Sequence, residues 1–383
     1  MKRGDVLHGY EIVSEPSNKG AGRCVWAFAR KNGKDYFIKK YLDPKRPGPS
    51  AGEEKRRRLT AECAEFERRH HAVASMLRPD AVGAGNLVLA LDFFHEGSSY
   101  YKVTEKITEA EPAIPLEPEQ THVLLRTLAI SLRLLHDIGV VHGDLKPDNI
   151  LIQRRTPAPS FHVAKLIDFD DAYVAGDPPA RDVVGGDLLF GAPEWCRYVQ
   201  GDPSVGGSQL TTKADMFALG LVAHYYLTGA LPGFGSGYGS PADAVSSGQT
   251  LDPDRRLTDK VADLVRSLTA RDPDRRPGVD QFLAVVASAD SCRLAAGGRP
   301  STPRSAGSDR RFEARPDGTV TGVPGRTSRI RTSVGHDGAS RHTGGPPASA
   351  PPAATPPPSV TPPTAGLPHD SRPRPRSRLR INL

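Results

Sequence analysis

The chain changes its hydrophobic period near Glu117, and that change limits the folds open to it more than any other feature. Before it come short runs rich in β-branched and aromatic residues: Arg23 to Arg30, Lys34 to Tyr41, Val88 to Phe94 and Tyr100 to Lys106. The first two are joined through Asn32-Gly33, a dipeptide that accepts the positive φ angles of a tight hairpin turn. One charged helical pattern interrupts them, over 53–77, with Cys63, Phe66, Val73 and Leu77 on one stripe. Beyond Glu117 the period is helical. Leu124, Leu128, Leu132 and Leu135 recur at spacings of four, four and three, and residues 215–227 and 258–268 repeat the signal. Strands first and helices second predict an α+β arrangement with a small β-rich part followed by a larger helical one.

A second break, in composition, falls near residue 290. The last 93 residues hold 16 Pro, 11 Gly and one aromatic, Phe312, so they cannot bury enough apolar surface to offset the entropy of ordering. Residues 291–383 are therefore predicted to be a disordered Pro/Arg/Ser-rich tail, extended around 346–364. Charge follows the same boundary: the whole chain is +7, but the tail carries fifteen arginines against five acids, which leaves residues 1–290 at −3. The basic balance thus gives no argument for nucleic acid as a partner of the folded part. Cys24, Cys63, Cys196 and Cys292 form no C-x-x-C pair, which argues against a zinc site or a disulfide framework and for a reducing, cytoplasmic setting. No window approaches the roughly 18 consecutive apolar residues of a spanning helix, so no membrane partner is expected.

Directly after the leucine-striped helix comes His142-Gly143-Asp144-Leu145-Lys146-Pro147-Asp148-Asn149, and nineteen residues beyond Asn149 comes Asp168-Phe169-Asp170 behind the apolar Leu166-Ile167. An acid placed to meet a hydroxyl, with an Asn and a second Asp able to hold Mg²⁺ through hard oxygens, is the minimal kit for phosphoryl transfer. These two motifs resemble the catalytic loop and metal-binding motif of protein kinases, and the chain resembles a bacterial-type serine/threonine protein kinase over about residues 8–288. The resemblance implies a bilobal fold, an N-lobe over about 8–107 and a C-lobe over about 108–288, with ATP and Mg²⁺ as cofactors. Asp144 and Lys146 would be catalytic, and Asn149 and Asp168 would hold the metal.

The rest of the pattern is carried over residue by residue. Lys39, in Tyr36-Phe37-Ile38-Lys39, resembles the phosphate lysine, with adjacent Lys40 as the alternative; Phe37 puts a ring where the family has a small residue above the adenine. Its partner on the following helix would be Glu67, with Glu62 as the alternative. Val103 to Ile107 resembles the hinge, with Thr104 as gatekeeper and the backbones of Glu105 and Ile107 facing the adenine edge. Gly20 and Gly22 stand as the phosphate cradle, two glycines where the family has three. Ala192-Pro193-Glu194, Asp215 and Arg276-Pro277 match motifs that close the helical lobe: the Glu would pair with the Arg, and the Asp would hold the catalytic loop.

Three departures matter. Gly143 replaces the Arg that binds an activation-loop phosphate in many kinases, and residues 168–194 contain no Ser or Thr and one Tyr, Tyr173, so activation by loop phosphorylation is not expected. Asp170 replaces a Gly, which predicts a cost at any positive φ there. Asp187 replaces a Thr near Asp144, and the two carboxylates would repel unless Lys146 sits between them. His142-Gly143-Asp144 with Asp168 to Asp171 also resembles the aminoglycoside and choline phosphotransferases. Phe37 and the short glycine loop leave a nucleotide-binding pseudokinase scaffold as a third reading. The tail's twenty Ser or Thr among arginines predict autophosphorylation after residue 290, or contact with an acidic partner.

Overall fold

Asn32 and Gly33 take φ of 52° and 74°, the consecutive positive values that a two-residue hairpin needs, and they fold β3 (Cys24–Lys31) onto β4 (Lys34–Tyr41). The computed structural model describes residues 1–295 apart from 20, 21, 23, 81–83, 111, 113 and 156–160. The readings placed on Gly20 and on the tail beyond 295 lie outside these residues. Ahead of the hairpin, β1 (Val6–Leu7) and β2 (Tyr10–Ile12) are two short strands too brief to leave a sequence period. Helix α1 (Glu53–Met76) buries only Cys63, Phe66 and Val73. Strands β5 (Ala90–Glu96) and β6 (Ser99–Glu105) complete a six-stranded antiparallel sheet of order β1-β2-β3-β4-β6-β5. The first of these starts two residues later than the pattern suggests because Leu87 and Val88 instead join the helical part, where the Val88 N–H donates to the Leu166 carbonyl at 2.9 Å.

Alternation divides the sheet chemically. One face carries Tyr10, Ile12, Ala27, Ala29, Ile38, Tyr101 and Val103 in a small apolar core. The other places Trp26 opposite Lys39 and Lys39 opposite Lys102, with Phe28, Phe37 and Thr104 in the next rank. Toward α1 this second face continues into Tyr41 and Tyr100, packed with Cys63 and Phe66.

The larger part is built on α2 (Pro118–Asp137), whose Leu124, Leu125, Leu128, Leu132 and Leu135 are fully buried. Four short strands follow: β7 (Val140–Val141), β8 (Ile150–Arg155), β9 (Phe161–Leu166) and β10 (Tyr173–Val174). They pair as β7 with β10 and β8 with β9, and the loops between them carry the polar motifs. The remaining helices are α3 (Pro193–Val199), α4 (Lys213–Thr228), α5 (Pro241–Ser246), α6 (Asp259–Leu268) and α7 (Val279–Val285). Helix α4 is buried almost all round, as a central helix must be. Its Gly220 lets α6 close in, since a Cβ there would stand 2.9 Å from the Leu268 Cβ. All four cysteines are buried and none forms a disulfide. No helix among the described residues is long and apolar enough to cross a membrane.

Candidate active site

The catalytic-loop motif is held from below by one buried carboxylate. Asp215, in the first turn of α4, accepts the backbone N–H groups of His142 at 2.8 Å and Gly143 at 3.1 Å, and its Oδ2 lies 3.0 Å from His136 Nε2. Burial opposes its charge, but His136 and those donors outweigh burial and keep its pKa below the ordinary value. His142 is neutral: its Nδ1 accepts the Asp144 N–H at 3.3 Å, leaving Nε2–H to donate to the Ile167 carbonyl at 3.0 Å, and burial holds its pKa down.

Asp144 then projects from a fixed frame. Asn149 Nδ2 donates to its carbonyl at 2.7 Å and to its Oδ2 at 2.9 Å. Lys146 Nζ lies 2.8 Å from the same Oδ2 and 3.6 Å from Asp187 Oδ2, so it does stand between the two carboxylates. Asp187 is also occupied through Oδ1, which accepts the N–H groups of Leu189 and Phe190 at 2.8 and 3.2 Å. Asp144 Oδ1 is buried without a hydrogen-bond partner among the described residues, and burial, outweighing Lys146, pushes the carboxyl up to about 7. The Ile167 N–H donates to the Asn149 carbonyl at 3.0 Å, which brings the strand leading to Asp168 beside Asn149.

Above this loop lies a cluster of four charges, in which the side chains of Lys39, Lys102 and Asp170 are buried and that of Asp168 is part-exposed; Lys102 is the member that the motifs did not disclose. Lys39 Nζ is 2.8 Å from both oxygens of Asp168 and 2.8 Å from Asp170 Oδ2. Lys102, from the neighbouring strand, donates to Asp170 Oδ1 and lies 3.5 Å from Asp168 Oδ1. Tyr41 Oη donates to Asp170 Oδ1 at 2.7 Å, with His70 Nε2 3.7 Å from the same oxygen. Burial alone would lower the Lys39 pKa, yet Asp168 and Asp170 raise it well above the ordinary value; Asp170 is held well below its own by Lys102 and Lys39 against the same burial.

One expectation is corrected here. Glu67 does not meet Lys39: it pairs with Arg46 at 3.0 Å and accepts the Tyr100 hydroxyl at 2.5 Å, while the alternative, Glu62, pairs with Arg58 at 2.8 Å. The residues that this helix buries are Cys63, Phe66 and Val73, and both glutamates spend their carboxylates on arginines. Asp170 incurs no positive-φ cost, since it lies within a 3₁₀ turn over Phe169–Asp171, and the left-handed residue is Asp168 at φ 62°. Lys102 was discoverable: strand alternation sets it on the face of Thr104, two residues on. The choice between Lys39 and Lys40 is decided by the same alternation, because Lys40 turns to the other face, 6.0 Å over the Tyr101 ring.

The remaining candidates line the cleft side of the sheet. Phe37 stacks on Trp26 with centroids 5.6 Å apart and stands opposite Thr104, whose hydroxyl donates to the Glu105 carbonyl at 3.3 Å. Glu105 ends β6 exposed, with Ile107 half-buried just beyond. Gly22 has φ 56°. As metal ligands, Asp168 and Asn149 fit Mg²⁺ by donor type, because Asn149 spends its amide N–H groups on Asp144 and keeps its oxygen for a cation. Among the described residues no three His, Cys, Asp or Glu side chains form a metal cage, so such an ion would complete its shell with substrate oxygens and water.

Below the site, Arg276 and Glu194 form a bidentate pair at 2.6 and 2.8 Å, with Arg276 also donating to the carbonyls of Ala270, Lys213 and Arg271. Gly143 explains the missing arginine: at φ 80° a Cβ would stand 2.4 Å from the Asp171 carbonyl oxygen. Tyr173 is buried in β10.

The sequence family described as protein kinase domain matches residues 19–286. Among curated relatives, the serine/threonine-protein kinase RAD53 of Saccharomyces cerevisiae is 25% identical over 287 residues, 71% of this chain and 32% of that protein. Serine/threonine-protein kinase pkn3 of Myxococcus xanthus is 25% identical over 249 residues, 60% of this chain and 42% of its own length. Pkn2 of the same organism is 32% identical over 139 residues, 36% and 15% of the two chains. The chain thus spans less than half the length of these relatives.

Proposed function

The chain belongs to the protein kinase domain family, and from that premise we propose that it is a serine/threonine protein kinase that transfers the γ-phosphoryl group of Mg-ATP to protein hydroxyls. The observation that carries the reading is Asp144: one oxygen is fixed by Asn149 and Lys146, and the other, without a hydrogen-bond partner among the described residues, is the acceptor for the proton of an incoming hydroxyl. Lys146 offsets charge beside that proton transfer, Lys39 meets phosphate oxygens, and Asn149 and Asp168 would hold Mg²⁺. When bound, Mg²⁺ supplies neutralisation of the phosphate charge. Lys146 two residues after Asp144, with the Glu194–Arg276 pair, favours a protein acceptor over a small alcohol.

Independence from activation-loop phosphorylation is part of the proposal. It is supported by the lack of Ser or Thr in residues 168–194, by the burial of Tyr173, and by a Gly143 that leaves no room for a phosphate-binding arginine. The tail is proposed as the first acceptor, because tethering keeps its Ser and Thr residues at roughly millimolar local concentration. The test is incubation of the purified chain with labelled ATP, Mg²⁺ and a cell lysate, followed by phosphosite mapping. Phosphoserine and phosphothreonine on proteins, and on this chain after residue 290, are expected. Label confined to small alcohols would favour the aminoglycoside-type phosphotransferase, and nucleotide binding without transfer would favour a scaffold.

A further inference from the structure

Lys39 needs a carboxylate that stays with it. Asp168 cannot be that group if it also serves as a metal ligand, and the five glutamates of α1 are committed elsewhere. Glu53 and Glu54 are exposed at its start, Glu65 pairs with Arg68 and Arg69, and Glu62 and Glu67 pair as described above. Asp170 meets the requirement. Its side chain is 7% exposed, and it gives each lysine a different oxygen, Oδ2 to Lys39 and Oδ1 to Lys102, so its grip on Lys39 is independent of where Asp168 turns. Tyr41 supports the second oxygen, and the 3₁₀ turn fixes the backbone beneath it.

Lys102 is the other half of the arrangement. Opposite Lys39 on the adjacent strand, it would place a second buried ammonium beside the first, an arrangement tolerable only with a shared counter-charge. We propose that Asp170 and Lys102 form a clamp between the metal-ligand turn and the sheet that positions Lys39 for nucleotide phosphate, the task that a glutamate of α1 was expected to perform. This rests on the reading of Lys39 as the phosphate lysine. The clamp fixes the phosphate lysine and the metal ligand Asp168 to one turn of backbone, and α1 contributes no carboxylate to either. Asp170 and Lys102 are thus positioning residues.

The test uses the full chain. Turnover is read from transfer of labelled phosphate from Mg-ATP to casein, Mg-ATP affinity by calorimetry, and folding by the melting temperature without nucleotide. Asp170→Asn is expected to lower kcat by ~10²-fold, with a smaller loss of Mg-ATP affinity, as misplacement of a positioned group does. Because Asp170→Asn leaves the buried Lys102 only the more distant Asp168 carboxylate, at 3.5 Å, as counter-charge, the double variant Asp170→Asn/Lys102→Met is the folding control. It is expected to recover the melting temperature but not kcat, since Lys39 still lacks the Asp170 carboxylate and keeps only that of Asp168, the proposed metal ligand. Glu67→Gln, which alters a residue the structure removes from the site, is expected to match the wild type. Recovery of kcat in the double variant would reduce Asp170 to a counter-ion for Lys102 and overturn the proposal, as would wild-type turnover in Asp170→Asn or the main loss appearing in Glu67→Gln. A wild-type chain that neither binds Mg-ATP nor transfers phosphate would overturn the kinase reading together with this one. Wild-type activity with an indifferent Asp170→Asn would overturn this one alone.

Discussion

Two charge clusters lie in the same molecule and are built on opposite plans. Around Arg276 the guanidinium is matched by both oxygens of Glu194 and by three backbone carbonyls, so at 1% exposure all five of its N–H donors are used. Around Lys39 two lysines share two aspartates, oxygens are contested, and the Asp168 side chain is 31% exposed on a left-handed backbone. The first network is closed and has one arrangement. The second has charges that can be redistributed without desolvating a new one, which suits a place where a polyanion and its cation are to be received.

If that contrast is right, damage to the open cluster should cost chemistry and damage to the closed one should cost folding. The largest effect is expected for Asp168→Asn, a fall in turnover of at least ~10³-fold with an unfolding midpoint close to the wild type. Substantial remaining activity would erase the distinction. Arg276→Ala should do the reverse by leaving Glu194 buried and uncompensated, a loss of about 3–5 kcal/mol in urea unfolding. Unfolding at the wild-type midpoint would show the closed network to be inessential.

A third measurement addresses the boundary between the two. Asp144 must be ionised to accept a proton, and burial lifts its carboxyl to about 7, so kcat should fall as pH drops through that value, by ~tenfold per unit below it. A profile flat across neutral pH would place the reacting base elsewhere. The smallest effect is expected at the roof of the cleft. Phe37→Ala removes the ring stacked on Trp26 and should lower the KM for ATP by less than about tenfold, with kcat unchanged. A raised KM would mean that the ring holds the base instead of crowding it.

The same two clusters show what a sequence discloses. Glu194, Asp215 and Arg276 were readable because each role belongs to one residue type in a fixed motif, and the helices around them announce themselves by period. The β3–β4 hairpin was readable for the same reason, through Asn32-Gly33. The open cluster was not, because its membership depends on register. Lys102 becomes a neighbour of Lys39 only when β6 pairs with β4, and nothing local marks Glu67 as turned toward Arg46 and Tyr100. Asp170 looked like an obstacle to backbone freedom because its side chain had no visible destination. The hairpin of β8 and β9, short and flanking the motifs, left only the apolar Leu166-Ile167 as a trace.

Gly143 carries a consequence for how such a chain can change over generations. A codon step from glycine to arginine is short, but the residue it encodes would have to accept φ 80° and displace the Asp171 carbonyl, and Asp171 in turn faces Gly185, where a Cβ would stand 2.0 Å from its carboxylate oxygen. The residue at 143 and the path of the chain at 171, with the space that Gly185 leaves for the Asp171 side chain, therefore have to be altered together. A side chain at position 143 thus meets a backbone clash that no change at that position alone can relieve.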